Sequence, residues 1–198
     1  MFKDNKIVCI PENDKHKRFL LGQHGTRELL AIGLNPSTAN EHKLDPTSRN
    51  IKTIAKNYNY DGWWLTNLYA LRTPKPHLLP LKSDVKLANE NLDFIKKLLR
   101  DKSFNTSAVL LCWGNNIDRY DYLREYATEL LNYLDEINMN CLCIGLTAKE
   151  NPFHPAPMGV NRFLGGINNI KLQPYKKSIL FLTIIITLSI VALVFLKN

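Results

Sequence analysis

Four apolar runs in the chain each stop at a polar, turn-forming stretch. Leu29-Leu30-Ala31-Ile32 runs into Gly33-Leu34-Asn35-Pro36-Ser37-Thr38, and Trp63-Trp64-Leu65-Thr66 ends at Asn67. Ala108-Val109-Leu110-Leu111-Cys112-Trp113 ends at Gly114-Asn115, and Cys141-Leu142-Cys143-Ile144 leads into a loop with His154-Pro155-Ala156-Pro157. Short continuous apolar runs bounded by turn residues read as buried strands. Between them the pattern changes to a helical period. Asp45-Pro46-Thr47 opens one helix, with Asp45 at the N-cap and Pro46 at the first helical position, running through Ile51, Ile54 and Ala55 to Tyr58. Ser83 is placed to cap a second helix with Val85, Leu87, Leu92, Ile95 and Leu98 on its apolar stripe. A third is predicted from about Ile117 to Ile137, with Tyr122, Leu123, Tyr126, Leu130 and Leu134 inward.

Strands alternating with helices predict an α/β fold of three αβα layers around a central four-stranded parallel sheet, because each parallel crossover needs a connecting helix. The earlier runs Ile7-Val8-Cys9-Ile10 and Arg18-Phe19-Leu20-Leu21 are short enough to be a hairpin or an edge extension. In open α/β sheets, ligands bind outside the carboxyl ends of the strands. The predicted sheet therefore brings Asn35, Asn67, Asn115 and His154 to one rim.

From 178 to 196 the chain has no charged residue and is dominated by Ile, Leu, Val and Phe. As a helix this stretch would span roughly 28 Å, close to a bilayer core. After Ser178 at its start, its only polar side chains are Thr183, Thr187 and Ser189, too few for the polar stripe of a surface helix. The organisation expected is a domain over 1–172, a basic tether over 173–177 and one C-terminal transmembrane helix over 178–196. The start of the chain lacks the apolar stretch of a signal peptide, and Lys176-Lys177 precede the span. Together these predict a single-pass tail anchor in the membrane with the domain facing the cytoplasm.

Charge and cysteines change this picture little. Lys and Arg number 26 against 18 Asp and Glu, a formal +8, which suits a nucleic-acid partner and an anionic leaflet equally well. Of the four cysteines, Cys9, Cys112, Cys141 and Cys143, three lie in predicted strands, and none has the C-x-x-C spacing of a metal site. They read as reduced core residues, and no metal is expected.

Four motifs in order, Gly33-Leu34-Asn35-Pro36, Leu65-Thr66-Asn67-Leu68, Leu110-Leu111-Cys112-Trp113-Gly114 and His154-Pro155-Ala156-Pro157-Met158, resemble those of the uracil-DNA glycosylase superfamily. They match its water-activating loop, base-reading strand, central strand and His-Pro minor-groove loop. Asn35-Pro36-Ser37-Thr38-Ala39, Asp45-Pro46-Thr47 and Asn67-Leu68-Tyr69-Ala70-Leu71-Arg72 also resemble the bacterial and phage family called domain of unknown function 1643.

The resemblance implies a DNA glycosylase that hydrolyses the N-glycosidic bond of a flipped pyrimidine with no cofactor. Asn35 and His154 would be catalytic, with Asp45 as the nearest candidate for a true base, although helix capping explains Asp45 equally well. An amide cannot take a proton, so Asn35 would only hold and orient water, as in the mismatch-directed branch. His154 would donate an N–H to the departing base. Gly33, Ser37, Asn67 and Asn115 would bind the substrate. Asn67 would read the pyrimidine edge with an adjacent donor and acceptor. Ser37 stands where the uracil-specific branch has a Tyr that excludes 5-substituents, so the implied substrate is a 5-modified pyrimidine, as in phage DNA. DNA would be held by Arg72, Lys75, Pro155 and the apolar wedge Met158. The alternative is a catalytically silent nucleic-acid- or nucleotide-binding module tethered to the membrane, since a fold does not guarantee an activity.

Overall fold

The structure, a computed structural model, describes residues 6–175. Its strands are β1 (Val8–Ile10), β2 (Leu20–Gln23), β3 (Glu28–Gly33), β4 (Gly62–Asn67), β5 (Thr106–Leu111), β6 (Cys141–Cys143) and β7 (Gln173–Pro174). Four helices, α1 (Pro46–Asn57), α2 (Val85–Arg100), α3 (Asp121–Glu136) and α4 (Pro157–Phe163), connect or flank them. All seven strands join one sheet in the order β1-β2-β4-β3-β5-β6-β7.

The sheet corrects the expectation of a four-stranded parallel one. It is mixed: β4, β3, β5 and β6 run parallel, while β1, β2 and β7 add antiparallel edges. The edge strands are two to four residues long, too short for a periodic signal of their own. Gln173–Pro174, read as tether in the sequence, pairs with β6 instead, and the Tyr175 amide donates to the Cys141 carbonyl at 2.8 Å.

The membrane expectation is corrected as well. Among the described residues no helix is long and apolar enough to cross a membrane. The stretch 178–196, on which the transmembrane helix and the tail anchor were predicted, lies outside the described residues. The structure therefore supports neither the anchor nor the localisation drawn from it.

Alternation along the buried strands separates two cores. Leu30, Ile32, Trp64, Val109 and Leu111 face one side and pack with Ile95 and Leu98 of α2 and Leu123, Leu130 and Leu134 of α3. Leu29, Ala31, Trp63, Leu65, Ala108 and Leu110 face the other and pack with Ile51, Ile54 and Ala55 of α1 and Val160 of α4. A strand buried on both faces is apolar at nearly every central position, which is why 29–32 of β3 and 63–65 of β4 read as continuous runs, with polar Glu28, Thr66 and Asn67 at the strand ends. Trp63 and Trp64, on opposite faces, are both 0% exposed.

Local signals explain the helix starts, with differences. Asp45 caps α1, its carboxylate accepting from the Ser48 amide at 2.8 Å. The second helix is capped by Asp84, which accepts from the Leu87 amide at 3.1 Å, while Ser83 bonds the Tyr126 hydroxyl at 2.6 Å. Val85, expected on the apolar stripe, is 64% exposed, and Asn91 takes a buried place on that helix instead. Before α3 a separate 3-10 turn covers Asn115–Arg119, so Ile117 lies outside the helix proper.

Candidate functional site

The parallel strands end level with one another. Gly33 pairs with Asn67 across β3 and β4, and Ile32 pairs with Leu111 across β3 and β5. At these ends lies a cleft of about 50 Å³ lined by Arg18, Gly33, Asn35, Ser37, Asp45, Thr47, Leu65, Asn67, Cys112 and His154. Gly33, Asn35, Ser37, Asp45, Asn67 and His154 are thus brought together. A second, more open groove of about 340 Å³ meets it at Ser37 and is lined also by Asn13, Asp14, Lys15, Thr38, Asn40, Arg72, Thr73 and Pro74.

Each cleft amide has a fixed orientation. Asn35 Nδ2 donates to the Pro36 carbonyl at 3.0 Å and the Thr73 carbonyl at 2.9 Å, which uses both its N–H bonds. Its Oδ1 remains as an acceptor on a residue that lines the cleft. Asn67 is the reverse case. Arg18 Nη2 donates to Asn67 Oδ1 at 3.2 Å, and a guanidinium can only donate, so the oxygen must face Arg18. The Nδ2 of Asn67 lies over Gly33, where an added Cβ would come within 2.7 Å of it. Asn67 is anchored on its main chain too: buried Asn91 donates to the Asn67 carbonyl at 2.8 Å and to the Leu68 carbonyl at 3.2 Å.

His154 approaches the end of β5 because residue 114 is glycine. Gly114 has φ +70°, and a Cβ there would lie 3.0 Å from the His154 Cβ. His154 Nδ1 sits 2.9 Å from the Cys112 carbonyl, which only accepts, so this nitrogen carries the proton. Burial holds the imidazole below the ordinary histidine range, while the Cys112 carbonyl and the Asp45 charge work against that shift. A neutral ring protonated at Nδ1 has a bare Nε2, and Thr47 Oγ1 lies 3.4 Å from it. In this state Nε2 offers a lone pair, and the N–H expected of His154 from the sequence is the Nδ1–H already given to Cys112. Asp45 spends Oδ1 on the Ser48 amide and the Ser48 hydroxyl, both at 2.8 Å, and lines the same cleft. Cys112, fully buried, has its thiol pushed up to about 12 by desolvation, so it is no nucleophile at neutral pH.

The other predicted residues divide differently. Arg72 turns inward: its guanidinium donates to the Lys17, Ser37 and Ala39 carbonyls at 3.3, 3.1 and 2.9 Å, and lies 3.5 Å from Cys9 Sγ. These bonds make it a clamp on the Asn35 loop, and it also lines the open groove. Asn115 lies outside the cleft, with Oδ1 accepting from Thr147 Oγ1 at 2.6 Å and Asn151 Nδ2 at 3.1 Å. Lys75 is exposed and lines neither cavity. Pro155 is buried, and its carbonyl accepts from Asn50 Nδ2 at 2.8 Å, tying the His154 loop to α1. Met158 is 79% exposed on α4, so it is not a core residue. Among the described residues no group of three His, Cys, Asp or Glu side chains is placed to hold a metal ion.

Sequence reasoning missed Arg18, Thr47 and Asn91. Arg18 is 1% exposed, and the one available signal was a charge opening an apolar run that was itself read as a strand. Desolvation, aided by the charge of Arg72, lowers its pKa to about 10, which leaves it cationic at neutral pH. The cleft thus combines a buried cation, a carboxylate, a neutral imidazole acceptor and two oriented amides. Comparison with curated proteins and with solved structures returned no match. The family described as Protein of unknown function (DUF1643) matches residues 18–156, a stretch that runs from Arg18 past His154 and so encloses every residue of the cleft, and the chain belongs to it.

Proposed function

We propose that the cleft hydrolyses the N-glycosidic bond of a flipped, 5-substituted pyrimidine in DNA, as a member of the uracil-DNA glycosylase superfamily would. The observation that carries this reading is the polarity of the cleft. Arg18 and the Asn67 amide form one hydrogen-bonded pair, and His154, Thr47 and Asp45 gather at the start of α1. Breaking this bond puts negative charge on the base and positive charge on the sugar. A cation beside the base and a carboxylate beside the sugar lower the barrier most in an enclosed site.

The roles follow from the free atoms. Asn67 Nδ2 donates to the base edge. Asn35 Oδ1 accepts from the attacking water and orients it, and His154 Nε2 takes the proton. Asp45 favours the imidazolium that results, consistent with its upward pull on the His154 pKa. The electron pair of the broken bond leaves with the base, the water oxygen joins C1′, and the base is then reprotonated, so the products are abasic DNA and free base. Ser37 stands at the junction of cleft and groove, which gives a 5-substituent a way out past a small side chain. Exposed Met158 suits the wedge that fills the gap left by a flipped base.

The small volume of the cleft favours a second reading, a nucleic-acid- or nucleotide-binding module without chemistry. Incubating the full chain with oligonucleotides carrying normal, deaminated and 5-modified pyrimidines separates the two. The enzyme leaves alkali-labile abasic sites and free base; binding without any released base across the panel would overturn the catalytic reading.

A further inference from the structure

We propose that Arg18 is the counter-ion that receives the pyrimidine anion in the cleft. The inference deepens the glycosylase reading and rests on it for the identity of the ligand. It moves the task of receiving negative charge from His154 to an arginine that the sequence did not single out.

Among the described residues Arg18 has no charged partner. Its Nη1 donates to the Ala39 carbonyl at 3.1 Å and its Nη2 to Asn67 Oδ1 at 3.2 Å, both uncharged acceptors. Its Nε has no hydrogen-bond partner, and among the described residues no carboxylate stands within ion-pair distance of the guanidinium. A charge removed from water without a paired opposite charge is costly and persists where function requires it. The neighbouring groups increase the cost. Arg72 Nη1 donates to the same Ala39 carbonyl at 2.9 Å, so a second cation stands beside the first. Of the titratable groups around Arg18, Asp45 lines the cleft without pairing to it, and Cys9 is a thiol that burial keeps protonated.

The position of Arg18 matches the charge that the reaction creates. It lines the cleft and holds the oxygen of Asn67, the amide whose remaining N–H groups meet the base edge. His154 cannot fill this role in its observed state, because the Cys112 carbonyl fixes its proton on Nδ1. When the N-glycosidic bond breaks heterolytically, the electron pair passes to the base nitrogen, and the resulting anion meets a fixed, buried positive charge. Nothing need be protonated at that moment. Arginine suits this better than lysine, since its planar fork can bond Asn67 and a carbonyl oxygen of the base together.

The test uses free bases that differ in acidity, thymine, uracil, 5-fluorouracil and 5-nitrouracil, titrated at one pH into the full chain. Affinity should rise along that order in the wild type, stay flat in Arg18→Gln, and rise partially in Arg18→Lys. The most acidic base should lose about 10- to 100-fold in affinity on Arg18→Gln, the scale of one hydrogen bond to a charged group. Wild-type affinity that is independent of base acidity overturns the proposal without any variant, which guards against an Arg18→Gln chain that fails to fold. Acidity-dependent binding without excision of any substrate supports the anion site and sinks the glycosylase reading. If excision occurs, Arg18→Gln should slow poor leaving groups far more than good ones. An equal slowing of all substrates overturns the proposal while leaving the glycosylase reading intact.

Discussion

Replacing Gly33 with alanine should damage the cleft through Asn67 and through nothing else. The added Cβ would lie 2.7 Å from Asn67 Nδ2, closer than side-chain atoms tolerate, whereas the next neighbour, Leu65 Cδ1, is at an ordinary 3.7 Å. Gly33 and Asn67 are paired across the β3–β4 ladder, so the backbones cannot separate and the amide must rotate away. That rotation breaks the 3.2 Å bond from Arg18 and leaves the buried guanidinium with one acceptor fewer. A hydrogen bond to a charged group contributes about 1.5–3 kcal/mol. Alanine offsets about 0.4–1 kcal/mol of this by stiffening the unfolded chain. The net loss is about 1–2 kcal/mol, or about 2–8 °C in the melting midpoint of a domain this size. Thermal and urea melts measure it directly. The decisive assay is a double-mutant cycle with Asn67→Ala, in whose background Gly33→Ala should cost nothing or stabilise slightly. An equal loss in both backgrounds would refute the argument, because the clash would then not involve Asn67.

Three further outcomes are expected. His154→Ala and Asn35→Ala should each lower excision about 10²-fold while DNA affinity changes little, as single-turnover rates and binding titrations would show; parallel loss of both would point to a structural role. Ser37→Tyr should cut excision of a 5-substituted pyrimidine far more than that of uracil, and an equal fall would remove Ser37 from the base contact. For pH, the lowered His154 pKa means that the unfolded chain binds the extra proton first, so this part of the stability is complete above about pH 6.5 and is lost as pH falls through the folded-state value. Asp14 and Asp61, whose carboxyls are held low chiefly by hydrogen bonds, lose their contribution only at more acidic pH, so His154→Asn should flatten urea-melt stability between about pH 7 and 5 and leave the acid limb unchanged.

The parts of the fold legible in the sequence were those whose signal is local and repeated. Glu28–Gly33 and Gly62–Asn67 are buried at every position, so their central residues read as apolar runs with definite ends, and Asn67 closes one run while Asn35 follows the other. Asp45 with Pro46 and Ser48 forms a complete helix start within four residues. The edge strands were not legible to the same degree, because a pairing such as Leu142 with Pro174 depends on the sheet being present already. Asn115 has the same appearance as Asn67, an amide at a strand end. It departs from the cleft because Thr147 and Asn151 supply its partners from a distant loop.

The arginines show where sequence reading stops and why. Arg72, in a proline-broken loop, has the sequence character of a phosphate contact, and Arg18, at the start of an apolar run, has the character of a strand-edge charge. The structure gives Arg72 the fuller set of partners. The loop from Ser37 to Ala39 presents two carbonyls toward Arg72, which engages that guanidinium while leaving it on the wall of the open groove. Arg18 reaches the same Ala39 carbonyl but finds an amide oxygen in place of a second carbonyl, and it lines the cleft with Nε unpaired. Which arginine is more fully bonded and which keeps an unpaired N–H depends on counting acceptors across segments 21 to 55 residues apart, a sum that no local pattern contains. The same count explains the amides: Asn35 is left with an oxygen and Asn67 with a nitrogen, two residues of one type made opposite by what their neighbours have already taken.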